Sequence, residues 1–115
     1  MHGLVRPALR AILEAIEGIE AAVQGKTRDA FAADWLLRHG VQRGIEIISE
    51  AARRIPPDLW ATRPEVPWVQ IIGISNVLRH EYHRVSDTIV WNVVDTHLPP
   101  LKRAVEAIDA GLNET

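Results

Sequence analysis

Cysteine is absent from the 115 residues of this chain. Disulfides, thiolate metal sites and cysteine nucleophiles are therefore excluded, and a reducing cytoplasm is the expected location. Aromatic residues are scarce, with one Phe, one Tyr and four Trp. Trp35, Trp60, Trp68 and Trp91 are accordingly assigned to core and loop anchoring rather than to a base-stacking platform. Neither sign of charge dominates. Thirteen Lys+Arg stand against 15 Asp+Glu, a formal net charge of −2, which excludes both nucleic-acid binding by bulk charge and an acidic disordered tail. Any nucleic-acid role needs a local site. Long apolar runs are missing too: they reach about four residues, as at Ala30-Phe31-Ala32-Ala33, against the ~20 of a membrane span. The stretch from Met1 to Pro7 lacks the apolar segment of a signal peptide. No membrane association is expected.

The length suits one domain, residues 1–115. A domain this small buries roughly two-thirds of its unfolded surface and has little wall left for a deep private pocket. A shallow site, or one shared between subunits, is the expectation. Lysine is nearly absent as well: only Lys26 and Lys102 are lysine, and the other 11 basic residues are arginine, the better partner for planar phosphate contacts.

Hydrophobic spacing predicts helix nearly throughout. Leu9, Ile12, Leu13, Ile16, Ile19 and Val23 recur at intervals of three and four, with Pro7 suited to a first turn and Gly25 to a stop. Thr27 can cap a second helix whose apolar face runs through Phe31, Trp35, Val41, Ile45, Ile48, Ala52 and Ile55. Gly40 and Gly44 in its middle suggest the close passage of another helix. Pro56-Pro57 ends it, and a proline-punctuated loop with one short turn near Asp58 to Ala61 follows. A third helix runs from about Pro67-Trp68 to His83. Ser86 or Asp87 can cap a fourth, and Pro99-Pro100 kinks or breaks it before a C-terminal helical stretch through Leu101, Val105 and Ile108. No segment alternates long enough for a strand. The expected fold is all-α, a four- to five-helix antiparallel bundle.

The chemistry gathers on the third helix. At 100° per residue, Ile71, Ile74, Leu78 and Tyr82 share one face, while Asn76, Arg79, His80 and His83 fall within about 100° of one another on a different one. An amide, a guanidinium and two imidazoles converging there suit a phosphodiester: arginine holds anionic oxygens, histidine moves a proton near neutral pH, and the amide fixes orientation. A solvated polar face is the plainer reading of such a stripe. His80 and His83 also offer a metal ion two imidazoles, with His39 or His97 as a third. Their three-residue spacing is one short of the zinc-protease pattern, no carboxylate partner is evident, and no metal is expected.

The order of residues from Gly73 to Tyr82 (Gly-Ile-Ser-Asn-Val-Leu-Arg-His-Glu-Tyr), followed by Val90-Trp91 and Leu98-Pro99, resembles the HepT-like branch of the HEPN superfamily. The resemblance takes in Pro64-Glu65-Val66-Pro67-Trp68 and the run Ile47-Ile48-Ser49-Glu50-Ala51-Ala52, where that family usually shows Gly-Glu-Ala. It implies an all-helical homodimer and a toxin ribonuclease of a prokaryotic toxin–antitoxin pair, cutting single-stranded RNA without a metal or cofactor. The implied partner is a small nucleotidyltransferase of the MntA type, which silences the toxin by attaching AMP to a tyrosine. The family motif is an arginine, four to six spacer residues, a histidine, any residue and a tyrosine, with the two copies facing across the dimer cleft. By position His80 is the catalytic histidine, Tyr82 the AMP acceptor and Asn76 the asparagine after the arginine. The arginine is replaced by Ser75. Arg79, one turn later, is the candidate to bring a guanidinium into the same cleft. The alternative is a catalytically degenerate dimer that binds a nucleotidyltransferase or a nucleotide.

Overall fold

The computed structural model describes residues 5–80 and 87–113, with the backbone alone at Arg79, His80 and Asn113. Helix α1 (Val5–Val23) buries Val5, Ala8, Leu9, Ile12, Ile16 and Ile19 along one face, and Gly25 ends the turn that follows in the left-handed region (φ 74°). That conformation costs a glycine least.

The expected second helix is two. Thr27 caps α2 (Arg28–Ala33) by accepting the Ala30 N–H at 3.1 Å. Asp34 then leaves helical geometry (φ −106°, ψ 102°) and caps α3 (Trp35–Ala52) through the Leu37 N–H at 3.0 Å. A short acceptor side chain competes for backbone donors in this way, which favours caps over helix interiors. The break changes the helical phase, so Trp35 is not on the core face: it is 63% exposed and stacks on His39 with centroids 4.1 Å apart. The rest of the expected face, Phe31, Val41, Ile45, Ile48, Ala52 and Ile55, is buried. Close helix passage is found at Gly44, where a Cβ would stand 2.8 Å from Ile19 Cδ1, and not at Gly40.

The proline loop holds the one-turn α4 (Pro57–Trp60). Trp68 is buried at the start of α5 (Trp68–His80); its indole N–H donates to the Arg63 carbonyl at 3.0 Å, and its ring lies nearly parallel to Trp60. These contacts fix where α5 begins. Helix α6 (Asp87–Asn92) passes through a π-helical turn, Val93–His97, into α7 (Leu98–Asn113). The expected break at Pro99-Pro100 is absent. Those prolines lack N–H groups and would crowd the carbonyls four residues back. The wider turn, in which the Leu98 N–H bonds to the Val93 carbonyl, lets the chain stay helical past them.

Helix α1 packs on both α3 and α7, α3 on α5, and α2 on α6. Ion pairs show α1 and α7 to be antiparallel: Arg6 meets Asp109 at 3.4 Å, and Lys102 meets Glu20 at 3.0 Å. The hydrogen bond to Glu20 holds the Lys102 ammonium above its ordinary pKa of 10.5, with desolvation opposing it and Glu106 and Glu17 reinforcing it. Phe31 and Trp91, 5.3 Å between centroids, anchor α2 to α6. The fold is the expected all-α bundle, with no strand among the described residues. Nor is any helix among them long and apolar enough to cross a membrane.

Candidate functional site

Helix α5 carries the candidate residues, and its seam with α3 is polar where the rest of the core is not. Ser49 and Ser75 are the two buried polar residues among those described, both fully enclosed. Ser49 Oγ donates to the Ile72 carbonyl at 2.7 Å and accepts the Ser75 N–H at 3.3 Å. Arg53, the residue that ends α3, reaches the same turn of α5: its Nη2 donates to the Ile72 carbonyl at 3.1 Å and to Ser75 Oγ at 3.4 Å. Buried hydroxyls are costly unless bonded, and here each has a partner.

Position 75 therefore faces α3. A small side chain lets the two helices approach, and the hydroxyl satisfies the neighbouring arginine. One residue on, Asn76 is exposed. Val69 and Val77 are exposed on the same outer side of the helix, within about 100° of Asn76 at helical spacing. Ile71 and Ile74 are half-buried, and Leu78 is fully in the core. The backbone of Arg79 and His80 continues α5, so both follow Asn76 on the same helix. Tyr82 and His83 lie outside the described residues.

The metal alternative turns on His80 and His83, whose side chains lie outside those described. His39 Nδ1–H donates to its own helix at the Trp35 carbonyl, 2.7 Å away. His97 borders an apolar recess of about 320 Å³ between α3, α5 and the π turn, lined by Ile45, Ile48, Ile71 and Ile74. No group of three or more metal-ligating side chains occurs among the described residues.

Sequence reasoning missed Ser49 and Arg53. Their i,i+4 spacing puts them on one side of α3, yet nothing in the sequence states that this side meets α5.

A family model described as ribonuclease HepT-like matches residues 12–108. A protein of Methanocaldococcus jannaschii, provisionally named an RNase, is 31% identical over 104 residues, covering 90% of this chain and 95% of its own. Another provisionally named RNase, from Caldanaerobacter subterraneus subsp. tengcongensis, is 33% identical over 103 residues, covering 90% and 92%. A protein of Thermococcus cleftensis named a probable ribonuclease HepT is 34% identical over 100 residues, covering 87% and 91%. No solved structure matches.

Proposed function

The chain belongs to the HepT-like ribonuclease family, and from that premise we propose that it is a metal-independent endoribonuclease cutting single-stranded RNA. One observation carries the reading: the family match extends through α5, on which Asn76, Arg79 and His80 follow one another. In the proposed reaction His80 takes the proton of a ribose 2′-hydroxyl. The freed oxygen attacks the adjacent phosphorus, the bond from phosphorus to the 5′ oxygen breaks, and the imidazolium returns the proton to that leaving oxygen. Arg79 offsets the charge gathering on the phosphorane and Asn76 orients the phosphate. DNA, without the attacking hydroxyl, is spared.

The site is completed by a second copy of the chain. Val69 and Val77, exposed on the outer side of α5, support covering of this helix by another surface, and a homodimer would bring two copies of the stripe together. The chain acts in the cytoplasm as the toxin of a toxin–antitoxin pair, and an MntA-type nucleotidyltransferase silences it by placing AMP on Tyr82. Expression of the chain alone is expected to arrest growth. Co-expression with such a partner encoded beside it should relieve the arrest and raise the intact mass by one AMP group. An unmodified mass beside an active partner would remove Tyr82 from the account.

A second reading is favoured by the serine at position 75, which leaves no arginine at that motif position. In it the chain is a degenerate dimer that binds the nucleotidyltransferase without cutting RNA. Normal growth with the lone chain, together with stable capture of the partner, would select it.

A further inference from the structure

An arginine does stand beside position 75, but it comes from another helix. Arg53 crosses from the end of α3 and sets Nη2 within 3.4 Å of Ser75 Oγ and 3.1 Å of the Ile72 carbonyl. We propose that Arg53 is a catalytic residue of the ribonuclease site, supplying from α3 the phosphate-binding guanidinium that α5 lacks at Ser75. The proposal rests on the ribonuclease reading above.

Three observations argue for it. First, Arg53 is exposed, while Nη2 is tied to one turn of α5. A guanidinium carries five N–H donors, so a group held in this way is oriented in advance and keeps capacity to meet an anion. Second, a purely structural stitch has no need of charge here. Both acceptors are neutral, α3 and α5 are already joined through Ser49, and Arg53 is in no ion pair with another described residue. Third, the position suits the chemistry. Ser75 is five residues before His80, about 7.5 Å along the helix axis and about 140° around it, so it is the exposed end of the Arg53 guanidinium, not the Ser75 position itself, that would meet a phosphate held by His80. Its exposed neighbour Arg54 makes no side-chain hydrogen bond among the described residues, which makes it the natural control.

Cleavage of a single-stranded RNA by the full-length protein tests the assignment. Arg53→Ala should lower the rate by about 10²–10³-fold, the usual loss of an anion-stabilising donor, while the melting temperature falls only by the few degrees expected when the Ser75 hydroxyl loses its partner. Arg53→Lys should recover only part, because an ammonium cannot hold two phosphate oxygens in a plane. Millimolar guanidinium chloride should partly rescue Arg53→Ala, which a structural role would not allow, and Arg54→Ala should cleave like wild type. Wild-type cleavage by Arg53→Ala, or a loss of activity that only tracks a loss of folding, would overturn the assignment. A wild-type chain that fails to cleave would instead overturn the ribonuclease reading. Binding of the same RNA with every 2′-hydroxyl methylated then decides for Arg53: weaker binding by Arg53→Ala sustains it as the phosphate-binding group, and equal binding removes it.

Discussion

His80→Ala is expected to lower RNA cleavage by about 10²–10⁴-fold, the contribution of a positioned base, and to leave the fold intact. The second half of that expectation follows from local structure. His80 belongs to α5, and alanine is the best helix former, so the exchange should not unwind the element that carries it. Loss of activity with an unchanged melting temperature would assign the proton transfer to the imidazole. Equal cleavage by wild type and variant would take His80 out of the mechanism.

Ser75→Arg is expected to have the largest effect on stability, opposite to what the motif alone suggests. Restoring an arginine at the motif position looks like a gain of function. The structure places that side chain in a fully enclosed site, against Ser49 and beside the Arg53 guanidinium. Overpacking costs about 1–3 kcal/mol, and bringing one cation against another in a poorly hydrated seam adds to it. A loss of about 2–4 kcal/mol, roughly 8–16 °C in Tm for a domain of this size, should appear in thermal or urea unfolding. Adding Ser49→Gly opens the facing position and should recover part of the loss, so the two changes will not be additive. An unchanged Tm in Ser75→Arg would mean that position 75 looks outward, against the packing described above.

The residues that announce themselves along the chain are those whose role is local. The face of α1 follows from the three- and four-residue spacing of its apolar side chains. Thr27 and Gly25 act as cap and stop through groups only a few residues away. Asp34 is different: mid-helix it reads as one more exposed acid, and only its capture of the Leu37 N–H ends one helix and begins another. The misplacement of Trp35 follows from that single residue. Pro99-Pro100 misled for a related reason, since a π turn satisfies the Leu98 N–H one carbonyl further back than an α-helix would. At the candidate site the helix was readable as far as His80, and so was the departure at Ser75. The replacement was not. Arg53 lies 22 positions from Ser75 in sequence, and a serine, polar by type, gives no sign that it will be buried between two helices. That meeting is created by the packing of α3 on α5, which periodicity along one helix does not encode.

The central claim is that this helix cuts RNA by using the RNA's own 2′-hydroxyl. The most direct measurement incubates the purified protein, in excess EDTA, with a single-stranded RNA and with DNA of the same sequence, and follows both by end-label electrophoresis. The account predicts that the RNA is cut, leaving a cyclic 2′,3′-phosphate, and that the DNA stays whole. Cleavage of both strands, or RNA cleavage abolished by EDTA and restored by a metal, would contradict it.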